Sequence, residues 1–259
     1  MSIITISRGS YSRGETIARM LAARLGYECI AREVLLEASK EFNIPEVKLV
    51  HAIHDAPSVL DRFTYGKEKY IAFIRAAILK RFLRDNVVYH GLAGHFFVPG
   101  IPHVLKVRII ADMEGRVARE MEREGISREE ALRTLKKDDN ERREWSQHLY
   151  GIDTWDPSLY DLVIHIGRIT VEDAVQTIMQ VVRLPQFQTT PASQSSLEDL
   201  ALAAEVKALL VALKPDIEVS AHSGIVHIRT KVAEGEDPEL IAQIMKIAKG
   251  VLEVKEIRF

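Results

Sequence analysis

The chain has 259 residues, of which 47% are hydrophobic and 28% are charged, and its formal net charge is −2. This composition is typical of a folded globular protein, and the charge excludes a generally nucleic-acid-binding or membrane-surface protein, since both need a strong basic excess. The single cysteine, Cys29, excludes an internal disulfide and a cysteine-based zinc cluster. Because Arg8 and Arg13 interrupt the apolar start and no long apolar run follows, we expect a cytoplasmic protein without signal peptide or membrane span.

The first predicted elements are a strand, a turn and a helix. The run from Ile3 to Ser7 is apolar and β-branched, and a turn with two glycines follows it. Apolar residues then recur at helical spacing, at Ile17, Met20, Leu21 and Leu25. A strand that ends in a small-residue loop directs backbone N–H groups and the positive end of the next helix toward the contents of the loop, most often a phosphate.

The turn matches the phosphate-binding pattern G-x-x-x-x-G-K-[ST] at all positions but one. Gly9, Gly14 and Thr16 have the required spacing, whereas Glu15 stands where the pattern has lysine. A carboxylate at that position removes a cation and adds an anion beside a polyanion. From these residues alone, an ordinary strand–helix turn and a phosphate loop are equally good interpretations.

Further along the chain, short apolar runs alternate with helical patterns. This alternation predicts a parallel sheet covered on both faces by helices. The predicted strands are Tyr27–Ile30, Val87–Gly91, Val104–Ala111 and Tyr160–Ile166. The predicted helical segments are one from Arg32, a long insert over Pro45–Arg84, Glu114–Arg123, one from Ser127 through Arg143, and Thr170–Val182.

The segment from Glu114 to Arg143 carries many charges. Arg116, Arg119 and Arg123 are spaced by three and four residues, so they project from one side of a helix. Arginine is suited to binding phosphate because its planar guanidinium is bidentate and does not lose its proton. Ion pairing with neighbouring glutamates is the alternative interpretation. We favour function for Arg119 and Arg142 and the surface for Arg116 and Arg143.

The C-terminal part has a different pattern. Residues 184–196 are rich in Pro, Gln, Ser and Thr and are predicted to be a linker. A small αββαβ module is predicted after it. Its elements are helix Leu197–Leu213, strands Ile217–Ser220 and Ile225–Thr230, helix Pro238–Lys249 and a last strand Val251–Ile257.

The order of these segments resembles the cytidylate-kinase-like proteins, a branch of the nucleoside monophosphate kinases. The resemblance extends from about Ile3 to Val182, and its most specific parts are Arg116–Ala131 and the D-P-S-x-Y-D-L run at Asp156–Leu162. It implies an α/β P-loop fold over residues 1–183 with a central parallel sheet, a helical insert that binds the monophosphate, and a mobile arginine-bearing lid. Residues 197–259 resemble BON domains, small modules associated with phospholipid or ligand attachment, although an oligomerisation or regulatory role without a ligand is an equal alternative.

The resemblance also implies site residues, with ATP and Mg²⁺ at the loop and the Thr16 hydroxyl on the metal. The expected ATP-binding residues are Gly9, Ser10, Tyr11, Ser12, Arg13, Gly14, Glu15 and Thr16. The expected catalytic residues are Arg13, Arg119, Asp139 and Arg142, and the expected substrate-binding residues are Arg8, Arg32 and Arg123. We hypothesise that Arg8 or Arg13 supplies the cation that Glu15 does not.

The implied activity is transfer of the γ-phosphoryl group of ATP to a nucleoside monophosphate such as CMP. The alternative is a catalytically inactive nucleotide-binding or regulatory protein that keeps the kinase fold. Glu15 is the residue that separates these two hypotheses. A homo-oligomer formed through the C-terminal module is a further expectation, and no nucleic-acid partner is expected.

Overall fold

The computed structural model describes residues 2–10, 12–31, 33–45, 67–91, 94–230 and 238–259. The helices and strands of these ranges are numbered here in chain order. They are β1 Ile3–Arg8, α1 Gly14–Leu25, β2 Glu28–Ile30, α2 Glu33–Glu41, α3 Lys67–Phe82, β3 Val87–His90, β4 Val104–Ala111, α4 Met113–Glu124, α5 Arg128–Tyr150, β5 Leu162–Ile166, α6 Val171–Val181, α7 Pro191–Leu210, β6 Glu218–His222, β7 Ile225–Arg229, α8 Pro238–Lys249 and β8 Glu256–Arg258. None of the helices in these ranges is long and apolar enough to cross a membrane.

The described residues form two compact units. The first unit comprises the described residues within 2–33 and 85–189, and the second comprises those within 34–45, 67–84 and 190–259. Helices α2 and α3 therefore group with the C-terminal segment. The domain boundaries expected from the sequence, at 183 and 197, remain a prediction.

A five-stranded parallel sheet forms the centre of the first unit. Its strand order is β2-β3-β1-β4-β5, so β1 lies in the middle and pairs with both β3 and β4. The inner strands β1 and β3 are buried along most of their length, and Ile4, Val88 and Leu105 are fully buried, as expected where helices cover a parallel sheet. Helix α1 contributes Ile17 and Leu21 to the same core. This confirms the parallel α/β sheet predicted from the apolar runs.

The helix ends follow from local chemistry. Gly26 ends α1 with a left-handed backbone (φ 69°), and Gly125 ends α4 in the same way (φ 66°). The Ser127 side chain accepts a hydrogen bond from the Glu130 amide and so caps α5, as the sequence predicts. The insert predicted over Pro45–Arg84 is helical at α3, and its residues 46–66 lie outside the described residues.

The segment predicted to be a linker contains regular structure. A short 3₁₀ turn covers Pro185–Phe187, and α7 begins at Pro191, six residues before the predicted helix start at Leu197. Thr190 and Ser193 form a capping box, in which each side chain accepts from the amide of the other residue. The Pro, Ser and Thr residues that suggest a linker are thus helix-start residues, since proline is favoured in the first turn of a helix.

The second unit contains the αββαβ order expected after the linker. Strands β6 and β7 are antiparallel, and β8 pairs in parallel with β7. Their buried face packs on α7 and α8 through residues such as Val206, Val226 and Ile244. The last strand is shorter than predicted, because it covers only Glu256–Arg258 while Val251 and Val254 pack into the core from a turn.

The capping box predicts that Thr190→Ala lowers the free energy of unfolding by about 1 kcal/mol, because the first-turn amides lose an acceptor. Ser196→Ala is the control in the same helix, since Ser196 is exposed and bonds only within the helix, to the Ala192 carbonyl. We expect it to change stability by less than about 0.5 kcal/mol. Urea unfolding followed by circular dichroism measures both changes, and equal losses for the two variants would contradict the assigned helix start.

Candidate functional site

The segment between β1 and α1 is a tight turn at the carboxyl end of the central strand. The Ser12 amide and the Ser12 hydroxyl both donate to the Gly9 carbonyl, at 3.4 Å and 2.9 Å. Helix α1 begins at Gly14, so the first-turn amides, which have no acceptor within a helix, border this loop. The backbone therefore provides an anion-binding position here whatever the side chains are.

Two features of the loop backbone bring arginine side chains to the start of α1. Arg13 precedes the helix with a left-handed backbone (φ 70°, ψ 5°), which costs a residue other than glycine on the order of 1 kcal/mol. A Cβ atom at Gly14 would lie 2.7 Å from Cδ of Arg8 and 2.8 Å from its Cβ. Only glycine at position 14 therefore allows the Arg8 side chain to cross the start of the helix.

Glu15 lies at the same end of α1 and pairs with arginines. Its Oε1 accepts a hydrogen bond from Nε of Arg19 at 3.1 Å, and its Oε2 lies 3.9 Å from Nη2 of Arg8. Partial burial raises the pKa of Glu15, but the Arg19 hydrogen bond and the Arg8 charge outweigh this effect and hold it below its usual range. The carboxylate is thus ionised at neutral pH.

Arg116 of α4 connects the loop to the helices above it. Its Nε donates to the Ser10 carbonyl at 2.7 Å, and its two terminal nitrogens donate to the carboxylate of Asp139 at 2.7 Å and 2.8 Å. The Arg116 and Asp139 side chains are only 9% and 16% exposed. A buried bidentate pair with this geometry fixes both helices against the loop. We call α4 and α5 together the arginine hairpin.

Two further contacts attach the arginine hairpin to the loop. Nη1 of Arg142 donates to the Arg8 carbonyl at 3.0 Å, and the Ser10 hydroxyl donates to Oδ2 of Asp138 at 2.9 Å. Burial lowers the pKa of the Arg142 guanidinium, although the nearby carboxylates of Asp138 and Asp139 act in the opposite direction. The guanidinium of Arg142 is therefore committed to the loop backbone.

A cavity of about 560 Å³, here called the loop cavity, lies between the loop and the arginine hairpin. It is lined by Arg8, Ser10, Arg13, Gly14, Glu15, Thr16, Arg119, Glu122, Arg123 and Asp138. Its charged groups are four arginines and three carboxylates. Burial and the neighbouring charge of Arg13 lower the pKa of Arg119. Because two like charges face each other here, an anion between them would be stabilised.

A buried polar network holds the end of β1 in place. The Tyr160 hydroxyl donates to the Thr154 carbonyl at 3.0 Å and lies 3.2 Å from Oγ of Ser7, and Arg108 donates to the same carbonyl at 2.6 Å. Nε2 of His95 lies 3.3 Å from the Tyr160 hydroxyl. Burial lowers the pKa of His95 to about 3, so its ring stays neutral. These contacts give the loop a rigid base.

The residues of the loop cavity fit Mg²⁺ only where phosphate oxygens of a bound ligand supply part of its coordination. Among the described residues, no group of three or more His, Cys, Asp or Glu side chains could hold a metal ion. Mg²⁺ keeps several waters, however, and commonly binds one or two protein oxygens together with phosphate oxygens. The exposed Thr16 hydroxyl and the Asp138 carboxylate, which both line the cavity, fit that mode of binding.

The structure brings most of the sequence-predicted site residues together. Arg8, Arg13, Thr16, Arg119 and Arg123 line the loop cavity, and Gly9, Ser10, Ser12, Gly14 and Glu15 belong to the loop and the start of α1. Asp139 is connected to this loop through its hydrogen bond with Arg116, and Arg142 donates directly to the Arg8 carbonyl. Tyr11 and Arg32 lie outside the described residues.

The assignment of Arg116 to the surface is wrong. Arg116 is 7% exposed, because its guanidinium is enclosed between the Ser10 carbonyl and the Asp139 carboxylate, to which it donates. Both partners are distant in sequence, so the spacing of the arginines on α4 could not indicate this burial. Arg143, in contrast, is exposed as predicted and pairs with Asp153.

A parallel sheet with its central strand leading through a loop into α1, and an arginine hairpin on that loop, defines a P-loop kinase fold. The model of one protein family, the "Cytidylate kinase-like family", matches residues 3–168. The chain belongs to this family.

Curated relatives cover the same part of the chain. The cytidylate kinase of Archaeoglobus fulgidus is 28% identical over 190 residues, which are 71% of this chain and 97% of that protein. The cytidylate kinase of Sulfolobus acidocaldarius is 26% identical over 180 residues, 69% of this chain and 93% of that protein. An uncharacterized protein from Eubacterium ventriosum has a similar fold, with a TM-score of 0.55 and 21% identity over 71% of this chain and 99% of that chain.

We predict that Arg116→Ala lowers the free energy of unfolding by about 3 kcal/mol, because it leaves the Asp139 carboxylate buried without its partner. Arg143→Ala is the matched control, since Arg143 also binds an aspartate, Asp153, but at an exposed position. We expect it to cost less than about 1 kcal/mol. Guanidinium unfolding measures both values, and similar losses would show that the Arg116 pair does not stabilise the fold.

Proposed function

We propose that this chain transfers the γ-phosphoryl group of ATP to a nucleoside monophosphate such as CMP, in the cytosol. The observation that carries the proposal is the loop cavity, in which Arg8, Arg13, Arg119 and Arg123 surround the amino end of α1. Phosphoryl transfer needs two polyanions positioned in line and their charge neutralised, which this arrangement favours. The name of the curated relatives, cytidylate kinase, supports CMP as the acceptor.

The loop and the first turn of α1 would hold the phosphates of ATP. Backbone amides at the helix start provide donors, and the positive end of the helix favours negative charge. The residues proposed for this contact are Gly9, Ser10, Tyr11, Ser12, Arg13, Gly14, Glu15 and Thr16. Thr16 would also hold Mg²⁺ through its hydroxyl, and the ion when bound neutralises charge on the phosphates.

Arg8 and Arg13 are proposed to replace the lysine that the loop lacks. Arg8 crosses the start of α1 because position 14 is glycine, and Arg13 lies at the N-cap. The negative charge of Glu15 is partly neutralised, because its carboxylate accepts a hydrogen bond from Arg19, which lies one helical turn further along α1. The loop therefore has a cationic lining without a lysine.

We propose that some residues of the arginine hairpin contact the phosphates and that others hold the site in position. Arg119 and Arg123 line the cavity and would contact the transferred phosphoryl group and the acceptor phosphate. Asp139 and Arg142 would act as positioning residues, because their side chains bond Arg116 and the Arg8 carbonyl. Arg32 is proposed near the acceptor phosphate on the family resemblance alone.

Glu15 supports a second candidate function, a catalytically inactive nucleotide-binding or regulatory protein. An ionised carboxylate beside the phosphates weakens the binding of a polyanion and removes the cation that reaches the γ-phosphate. In that case the kinase fold binds a nucleotide and the C-terminal segment responds to it. We propose that this segment, which resembles a BON domain in sequence, serves regulation or homo-oligomer formation.

The Glu15→Lys variant separates the two candidate functions. We expect it to raise kcat/KM for ATP by about tenfold or more, because it replaces an anion beside the phosphates with a cation. Glu122→Lys is the matched control, since it makes the same charge change at another position of the loop cavity. The assay is ATP-coupled transfer to CMP, UMP, AMP and dCMP.

Wild-type transfer to a monophosphate supports the kinase. Absence of transfer by the wild type and by Glu15→Lys, together with thermal stabilisation by a nucleotide, supports the inactive binder instead. Equal gains in Glu15→Lys and Glu122→Lys would mean that position 15 has no special role. Neither transfer nor stabilisation would contradict both candidates.

A second prediction concerns the replacement cation. Arg13→Ala should weaken ATP binding by about tenfold, since a charge-assisted hydrogen bond contributes on the order of 1.5 kcal/mol. Arg24→Ala is the control, because Arg24 lies in the same helix but its guanidinium is bonded to Glu172 at the far end. Isothermal titration calorimetry with ATP gives both affinities, and an unchanged affinity for Arg13→Ala would exclude Arg13 as that cation.

A further inference from the structure

His90 is a buried polar residue beside the loop, and the function proposed above does not use it. It is the last residue of β3, it pairs in register with Ile6 of β1, and it is 4% exposed. The loop follows the carboxyl end of β1, and because the two strands are parallel, the carboxyl end of β3 lies at the same edge of the sheet. Open α/β sheets bind their ligands at this edge.

The side chain of His90 lies on the face of the sheet that α1 covers. Val88 packs in the core with Ile17 of α1, and residues two apart in a strand share a face. His90 is thus on the same face as Val88 and closer to the loop. The charges of Glu15 and Arg19, both near the start of α1, affect the pKa of His90, which agrees with this position.

Four charged groups, from three elements, face the imidazole of His90. They are Arg8 at the end of β1, Glu15 and Arg19 of α1, and Glu33 at the start of α2. The Glu15 carboxylate accepts a hydrogen bond from Arg19 and lies 3.9 Å from Nη2 of Arg8. The Glu33 carboxylate accepts a hydrogen bond from the Ala31 amide at 2.9 Å. These charged groups therefore have partners, and their charges sum to zero.

The imidazole of His90, in contrast, has no hydrogen-bond partner in the part of the chain that the structure describes. Its Nδ1 is fully enclosed and unpaired, and none of the described residues bonds Nε2. Burial lowers the pKa of His90, so the ring is neutral at neutral pH. A buried N–H group without a partner is rarer than an unpaired acceptor, so we expect the proton on Nε2 and the lone pair on the enclosed Nδ1.

A neutral imidazole with an unused N–H group suits a ligand that accepts hydrogen bonds. Leaving a buried donor unsatisfied costs free energy, which a ligand that bonds it recovers. The start of α1 favours an anion at this edge through its amides and its dipole, and Arg8 and Arg19 add positive charge nearby. A phosphate bound here would raise the pKa of His90, and the hydrogen bond would become charge-assisted.

The strand order separates His90 from the arginine hairpin. The hairpin follows β4, His90 ends β3, and β1 with its loop lies between these two strands. Arg8 and Glu15 line the loop cavity and also face His90. In phosphoryl transfer the attacking and leaving oxygens lie roughly in line, so the two nucleotides approach the transferred group from opposite sides. If ATP lies on the hairpin side, the acceptor lies on the side of His90.

We propose that His90 is a substrate-binding residue that donates a hydrogen bond from Nε2 to the phosphate of the acceptor nucleotide. This inference rests on the proposed function, because it concerns the acceptor of that reaction. Glu33, which faces His90, directly follows Arg32, the residue proposed above to lie near the acceptor phosphate. The acceptor phosphate would thus be bound at the carboxyl end of β3, outside the loop cavity.

The test is isothermal titration calorimetry of the full chain with ATP and with CMP, UMP, AMP and dCMP. We expect His90→Leu, which removes the donor, to weaken monophosphate binding by about tenfold and ATP binding by less than about twofold. His90→Gln keeps an N–H donor and should recover part of the affinity. His222→Gln is the control and should change neither affinity, because His222 is 83% exposed and belongs to the second unit.

Proton uptake distinguishes a phosphate contact from a purely structural role. Because the phosphate raises the pKa of His90, the wild type should take up more protons on binding a monophosphate at neutral pH than either His90 variant does. Titrations in buffers of different ionisation enthalpy measure this uptake. Relative to His90→Gln, wild-type binding should tighten as the pH falls from about 8 to about 6, because the bound state holds the extra proton.

The inference and the proposed function fail in different ways. The inference is overturned if no monophosphate binds, if both His90 variants bind like the wild type, if ATP binding weakens equally, or if proton uptake is the same in all proteins. Transfer activity with unaffected His90 variants overturns the inference alone. Monophosphate binding through His90 without any transfer overturns the kinase alone. His90→Gln carries the test through its proton uptake if His90→Leu does not fold.

Discussion

The loop at the centre of this protein depends on one buried arginine. Arg116 bonds the Ser10 carbonyl and the Asp139 carboxylate at the same time, so it joins the loop, α4 and α5 through a single guanidinium. The charge of Arg116 is compensated by Asp139 and its donors are used, which is the condition under which a buried ion can persist. The shape of the loop cavity follows from this contact, because it sets the distance between the arginine hairpin and the helix start.

The loop combines a backbone suited to binding an anion with side chains that differ from the usual phosphate-binding pattern. The anion-binding property comes from the first-turn amides and from the direction of α1, and neither depends on a lysine. Glu15 changes the electrostatics of that site but is itself compensated by Arg19 and Arg8. Family membership therefore accounts for the fold, whereas the two proposed functions, phosphoryl transfer and nucleotide binding alone, differ in what they require of position 15.

The second unit shows that chain order and packing are separate properties. Helix α3 comes before β3 in the chain, yet it packs with α7 and its neighbours in the C-terminal part. A cavity between α3 and α7 exists only because of this packing, since its lining residues Leu83 and Leu202 are far apart in sequence.

The sequence by itself determined the elements and the outline of the site. The spacing of apolar residues along a strand or helix records which of its faces is buried. This is a local property of the sequence, so the strands and most helices were predictable. The spacing of Gly9, Gly14 and Thr16 likewise located the loop. The composition of residues 184–196 predicts a linker, and α7 begins within this segment at Pro191, because helix starts and linkers use the same residues.

Only the tertiary structure decided which charges are buried and what they bond. Arg116 meets Ser10, 106 residues away, and a helix pattern cannot specify a partner at that separation. The same holds for Arg142 and the Arg8 carbonyl, 134 residues apart. The physical reason is that the environment of a charged side chain depends on packing between elements, whereas periodicity records only which face of each element is apolar.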